Sequence, residues 1–343
     1  FAQLSIWWGD YGTDDFGGTR YNNITATGST KHFDDKTFMW RSNDSVSFCT
    51  KGFANFLFAF EETGDPFYAS ALKWQTNYAK KRIHANTGEC RNIGVVDDFM
   101  LLYRVLGKEE YKQEGLRLFR ELTEKMNEVH LFSQGGEPIL KEVPFIDDDR
   151  TGYKYPFAKP YIIGYALQGL PQLYEFCPDE PKLYETIEAV AKFLADTLDP
   201  SGGWRYPHPK SSRVLITQGL EHAHQLVNAC KVLKDKSPYY QNCVDAIEKV
   251  LQARVIGFMY RGSILSGLNS WEYSAGLVKS GENLEKIYTR FEEKDYNRDY
   301  IEGSISFSDS TAPEGVVYFA SVLSFYLSHR SPERLLTPST PEL

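Results

Sequence analysis

No run of about eighteen apolar residues occurs in the 343-residue chain, so nothing in the sequence is built to cross a bilayer as a helix. Blocks of Lys and Arg are missing as well. With a net charge of −8, a polyanionic nucleic acid is a poor partner, although a local Arg/Lys pocket could still hold one acidic sugar. Cysteine is scarce. Cys49, Cys90, Cys177, Cys230 and Cys243 include no CxxC and no zinc spacing, and their odd number speaks against a disulfide framework. Cys49 and Cys230 fall within helical apolar patterns, where buried free thiols are expected. GxSxG, a Walker loop, a dinucleotide fingerprint and HExxH are all absent, so nucleotide and nicotinamide chemistry are poorly supported. No cofactor or metal is expected. The chain opens at Phe1 rather than Met, which reads as a processed or trimmed product, with a secreted or periplasmic location favoured over a cytoplasmic one. The sequons at Asn23 and Asn43 matter only in a eukaryotic secretory host.

What the sequence does hold is a rhythm. Six apolar, Gly- and Ala-rich helices are expected to begin near Ser45, Ile93, Lys159, Arg213, Leu265 and Pro313, a spacing of roughly fifty residues. Five are followed, after a short turn such as Gly64-Asp65-Pro66 or Gly107, by a more polar helix with a single apolar stripe. Helices apolar on most faces belong inside, and striped ones outside. The expected class is therefore all-α, an (α/α)6-type toroid formed as an incomplete barrel of helical hairpins, rather than an open solenoid. The expected boundaries are an irregular N-terminal segment over 1–44, the toroid over 45–330 and a tail over 331–343.

In such a ring the loops leading into the inner helices share one face, and they carry most of the chemistry-bearing residues. Asp97 and Asp98 lie in an apolar context, Val95-Val96-Asp97-Asp98-Phe99-Met100. Either one alone could cap its helix. For the pair, burial and mutual repulsion would raise one pKa and make a usable general acid. Asp147, Asp148 and Asp149 form a second acidic cluster, followed by Arg150, Tyr153 and Lys154; it lacks EF-hand spacing. The densest loop is Trp204-Arg205-Tyr206-Pro207-His208 behind Gly202-Gly203. There Trp204 could stack on a sugar or plug the core, Arg205 could grip a carboxylate, and Tyr206 or His208 could move a proton. Trp40-Arg41 and Trp271-Glu272-Tyr273 repeat the pairing of aromatic and charge. His222 and His224 are about 200° apart on a helix, so they are not a helical metal pair. Gln218, Glu221, His222 and Gln225 instead share one polar strip, read as a satisfied network.

The hairpin rhythm and phrases such as FLFAFEETGDPFYASALK resemble the six-hairpin, (α/α)-toroid carbohydrate-active enzymes over residues 45–330. Within that group VVDDFMLL is similar to the segment of unsaturated glucuronyl hydrolases that supplies their catalytic Asp, which implies Asp97 or Asp98 as the acid. Related toroids include polysaccharide lyases. The resemblance therefore implies a carbohydrate partner, acidic in character, and two mechanisms. In the hydrolase, Asp97 or Asp98 is the general acid and a carboxylate among 147–149, such as Asp149, is the base or orients water. Arg150, Lys154 and Arg205 hold a uronate, with Tyr153 and Arg41 beside them, and Trp40, Trp204 and Trp271 stack on sugar rings. In the lyase, an Arg neutralises the uronate carboxylate and Tyr206 or His208 takes the α-proton. Hydrolysis is the favoured reading. Terpene cyclases need DxDD or DDxxD, and neither acidic cluster fits. A non-catalytic helical scaffold is the remaining alternative, and it would leave Asp97 and Asp98 exposed and unpaired.

Overall fold

The computed structural model describes residues 31–34, 39–42, 53–86, 90–126, 130–132, 146–147, 154–155, 160–199, 202–205, 214–215, 219–261 and 312–335. The chain forms two compact units. The first comprises Phe1–Met126, Gln134–Pro138 and Gln168–Leu183; the second comprises Asn127–Ser133, Ile139–Leu167 and Tyr184–Leu343.

In the first unit a two-stranded ribbon, β1 (Lys31–Asp34) and β2 (Met39–Ser42), precedes two helical hairpins. Helix α1 (Asn55–Thr63) packs on α2 (Pro66–Arg82), and α3 (Val96–Leu106) packs on α4 (Glu109–Thr123). The expected breaks are where these hairpins turn. Gly64 and Gly107 each end a helix in the left-handed region, with N–H groups bonded back to Phe60 and Tyr103 carbonyls at 2.7 and 2.8 Å. Asp65 then caps α2 by accepting from the Phe67 N–H at 2.9 Å, with Pro66 at the first helical position. Phe53, Phe56, Phe99, Met100, Leu118, Phe119 and Leu122 form this unit's apolar interior. Ahead of α3, a 3₁₀ helix (Cys90–Val95) follows a segment moored to α4: Glu121 accepts from the Ala85 N–H at 3.0 Å and from Arg117 at 2.7 Å.

In the second unit α5 (Pro160–Gly164) leads into α6 (Ala166–Phe176), whose residues from Gln168 onward belong to the first unit. Pro171 removes one backbone donor inside α6. Helix α7 (Leu183–Thr197) follows, then the hairpin α8 (Gly219–Leu233) and α9 (Tyr240–Arg261), which turns at 234–239 as expected. The last helix, α10 (Ala312–Leu327), packs on both α8 and α9. The fifth expected hairpin lies outside the described residues. Helix α8 is buried on most faces, as an inner helix should be.

The described residues thus show the expected all-α class in hairpins, with one addition. Three of the loops expected to carry chemistry contain short antiparallel ribbons: β1–β2, β3–β4 (Ile146–Asp147 with Lys154–Tyr155) and β5–β6 (Trp204–Arg205 with Val214–Leu215). The segment 331–335, assigned to the tail from the sequence, is folded. A 3₁₀ helix (Pro332–Leu335) buries Leu335, and the buried Glu248 of α9 binds Arg334 at 2.9 Å, Arg330 at 3.2 Å and the Tyr326 hydroxyl at 3.2 Å.

Candidate active site

The acidic pair stands in the first turn of α3, which follows the 3₁₀ helix without a break. Val95, the residue at the cap, is itself in helical conformation and offers no capping side chain. Asp98 does not cap its own helix. Its Oδ1 accepts two backbone N–H bonds, from Phe53 and Ala54, both at 2.8 Å. Those donors belong to the start of α1, whose cap residue Ala54 has no side-chain acceptor to offer. Asp98 therefore supplies from the second hairpin the cap that the first lacks. Among the described residues no donor reaches Oδ2.

Burial is the largest influence on this carboxyl and pushes its pKa from 3.8 up to about 6, against the Ala54 and Phe53 N–H bonds, which act the other way. With Oδ1 saturated by two donors, a proton on Asp98 resides on Oδ2. The group is a pinned carboxyl with a pKa of about 6, and its protonated form carries the proton on the oxygen that no described residue bonds.

Asp97 is held differently. Its Oδ1 accepts from the Gln172 side-chain amide of α6. One turn earlier on α6 stands Gly169, where a Cβ would overlap the Asp97 backbone nitrogen and come within 2.7 Å of the Val96 Cβ and 2.8 Å of the Val96 carbonyl carbon. Only glycine lets α6 approach the first turn of α3 this closely. Gly169 and Gln172, three residues apart and so on one helix face, grip the acidic turn from outside. Neither stands out in the sequence, because their role depends on contacts with the distant Val96-Asp97 turn.

In the second unit Gly202 opens the Trp204 loop with φ 81°, bonded to the Asp199 carbonyl at 2.9 Å. A Cβ there would overlap Ala253 of α9, so glycine is required for both the turn and the approach. The turn drives Trp204 inward. Its side chain is 1% exposed, its indole N–H donates to the Leu194 carbonyl at 2.9 Å, and its ring meets that of His222 edge to face at 4.7 Å. This corrects the expectation that Trp204 stacks on a sugar: both its face and its polar edge are spent on the core.

Beneath it, His222 Nδ1 lies 3.0 Å from Gln225 Oε1. An amide oxygen only accepts, so Nδ1 carries the proton. Burial lowers the His222 pKa to about 4, outweighing the Gln225 bond, and the ring is neutral at physiological pH. Among the described residues the buried Gln225 Nε2 has no hydrogen-bond partner. Gly164 makes room for this amide, because a Cβ there would overlap Gln225 Oε1. His224 points elsewhere, to Ser321 Oγ at 3.2 Å, and is lowered to about 4 by burial and then by Lys231.

The other expected site residues divide in two. Trp40, Arg41, Lys154 and Arg205 are placed as strand positions, Trp40 opposite Phe33, Arg41 opposite His32, Lys154 opposite Asp147 and Arg205 opposite Val214. Asp149, Arg150, Tyr153, Tyr206, His208 and Trp271 lie outside the described residues. Among the described residues no group of three or more His, Cys, Asp or Glu could hold a metal ion, and no helix is long and apolar enough to cross a membrane.

No protein-family model and no curated protein sequence matches this chain. Its fold is similar to that of several solved structures. A sugar epimerase from a ruminal bacterium matches 74% of this chain and 70% of its own at 11% identity, with a TM-score of 0.49. A cellobiose 2-epimerase from Bacillus thermoamylovorans matches 73% and 71% at 13% identity, with a TM-score of 0.48. An unsaturated glucuronyl hydrolase from a Bacillus species matches 84% and 94% at 13% identity, with a TM-score of 0.38. At these identities no activity passes from those proteins to this one.

Proposed function

We propose that the hairpins close into an (α/α) toroid and that the chain is a glycoside hydrolase acting on uronic-acid-containing oligo- or polysaccharides. The observation that carries this reading is the Asp98 carboxyl: half-buried, held through one oxygen by two backbone N–H groups, and raised to about 6. A general acid must be held rigidly, be partly protonated near its working pH and offer an oxygen for the proton; Asp98 is pinned through Oδ1 and raised to about 6, and among the described residues no donor reaches its Oδ2. Against the scaffold reading, Asp97 and Asp98 are bonded rather than exposed and unpaired.

In this reading Asp98 Oδ2–H protonates the departing glycosidic oxygen, and Asp97, oriented by Gln172, holds or activates the water. Asp149 is the alternative base. Arg150, Lys154 and Arg205 bind the uronate carboxylate, with Tyr153 and Arg41 beside them, and Trp40 and Trp271 provide stacking faces.

Ultraviolet absorbance during incubation with uronate polysaccharides, and with oligosaccharides already cut by a lyase, tests the reading. A 4,5-unsaturated uronate absorbs and a saturated one does not. Falling absorbance on the pre-cut material is the expected result and identifies an unsaturated-uronyl hydrolase. New reducing ends with flat absorbance identify an ordinary uronate glycosidase. Rising absorbance means β-elimination, which overturns hydrolysis and moves the proton transfer to Tyr206 or His208.

A further inference from the structure

After α2 ends, residues 83–86 belong to no helix or strand, and side chains of α4 meet their backbone groups instead. Glu121 Oε2 accepts from the Ala85 N–H at 3.0 Å. Glu121 Oε1 accepts from Arg117 at 2.7 Å and lies 3.1 Å from His84 Nδ1. Arg117, one turn back on α4, also donates to the Ile83 carbonyl at 3.1 Å and to Glu114 at 2.8 Å. Burial works to raise the Glu121 pKa, but the Ala85, His84 and Arg117 bonds outweigh it and hold the carboxyl below the usual carboxylate range. An ionised carboxylate only accepts, so His84 Nδ1 carries a proton and donates it to Glu121.

The moored segment is tied in turn to the 3₁₀ helix. Asn92 Nδ2 donates to the His84 carbonyl at 3.2 Å, and the Cys90 thiol donates to the Ala85 carbonyl at 3.4 Å. Ile93, Val95 and Val96 are fully buried, and the 3₁₀ helix runs directly into α3, whose first turn carries Asp97 and Asp98. A run of bonds and packed residues thus leads from Glu121 through Ala85 and Cys90 to the acidic turn.

We propose that Glu121 is a positioning residue for the reaction: by holding residues 83–86 it fixes the 3₁₀ helix, and through it the aim and desolvation of the Asp98 carboxyl. This rests on the reading of Asp98 as the general acid. Releasing the segment lets the acidic turn shift and admits water to it. The Asp98 pKa then falls from about 6 toward 3.8. A general acid works below its pKa, so the high-pH limb of the rate profile moves to lower pH.

The test uses the full chain. Glu121→Ala removes every bond described, Glu121→Gln keeps an acceptor for the Ala85 N–H, and Glu110→Gln, which breaks an exposed pair with Lys80 on the same helix, is the control. Expected in Glu121→Ala is a fall in kcat of roughly ten- to hundredfold with KM little changed, a high-pH limb displaced to lower pH, and partial recovery of both in Glu121→Gln. Carbon-13 NMR of labelled aspartates, assigned with Asp98→Asn, should show the Asp98 titration moving with the limb. A lower Tm with limb and titration unmoved would overturn the proposal, and so would equal shifts in Glu110→Gln. If Glu121→Ala fails to fold, Glu121→Gln and Arg117→Met carry the same comparison. A wild type that turns over no uronate substrate would sink the general-acid reading, while the NMR titration still decides whether Glu121 governs the carboxyl.

Discussion

The half-buried Asp98 turn in the first unit and the buried His222–Gln225 pair in the second are both polar clusters near the start of an apolar helix. Burial acts on both in the same sense, favouring whichever form is uncharged. For a carboxyl that means a rise to about 6, and for an imidazole a fall to about 4. Near neutral pH the outcomes are opposite in kind. Asp98 sits where it can still give and take a proton, while His222 has been moved out of the useful range and is fixed in one tautomer. The difference lies in how each is bonded. Two backbone donors partly offset the desolvation of Asp98 and, among the described residues, none reaches Oδ2, whereas His222 receives one amide oxygen and an indole edge. The same desolvation that raises a carboxyl in one unit lowers an imidazole in the other.

The comparison breaks most sharply at Asp98. Asp98→Asn keeps an acceptor for the Phe53 and Ala54 N–H groups but has no proton to give, so turnover should fall by about 10²–10⁴-fold while the melting temperature holds. Wild-type turnover in this variant would reduce Asp98 to a helix cap. A pH dependence of stability follows from the same residue. The folded state binds this proton more tightly than the unfolded chain, so the contribution is full below about 3.8 and declines as pH rises through about 6, by roughly 3 kcal/mol in all. Urea midpoints from pH 3.5 to 7.5 should show this decline in the difference between wild type and Asp98→Asn; parallel curves would exclude the shifted carboxyl.

Gly169→Ala should cost about 1–3 kcal/mol, because the new methyl meets backbone rather than a movable side chain, and it should lower turnover by displacing the acidic turn. Calorimetry and kinetics on the one variant check both effects. The smallest effect belongs to the His222–Gln225 pair. Gln225→Leu alone strands the His222 Nδ1–H and should cost about 1–2 kcal/mol, whereas Gln225→Leu combined with His222→Phe should come close to wild-type stability. Strict additivity of the two single changes would mean that the pair is not coupled.

Much of this arrangement was legible in the chain. The Gly64 and Gly107 breaks, the Asp65-Pro66 start of α2 and the turn after α8 follow from local rules that do not depend on distant residues. Asp98 stood out because a carboxylate flanked by Val96, Phe99 and Met100 has nowhere polar to go. What it bonds was hidden, since Phe53 and Ala54 contribute backbone groups, and backbone carries no residue identity. Gln172 and Gly169 were hidden for a related reason: a glycine in an apolar helix reads as packing until the partner surface is known. Strands of two residues such as Trp204–Arg205 are too short to show alternation, so those ribbons looked like plain loop. Trp204 illustrates the remaining ambiguity, because an indole beside Arg and Tyr in a polar loop serves equally well as a platform or a plug. The Leu194 carbonyl that settles it is ten residues upstream, in another helix.

The clasp at Glu248 bears on how this protein can be handled. Its carboxylate is buried, and its cationic partners Arg330 and Arg334 come from the stretch that looks most dispensable. Gln252, one helical turn further along α9, holds the Arg334 carbonyl as well, at 2.8 Å. A clone shortened after α10, or a protease nick at residue 329, would strand a negative charge against the underside of α9 and uncover Leu335's seat. Affinity tags and fusion partners therefore belong beyond residue 335, and trimming for crystallisation should stop there.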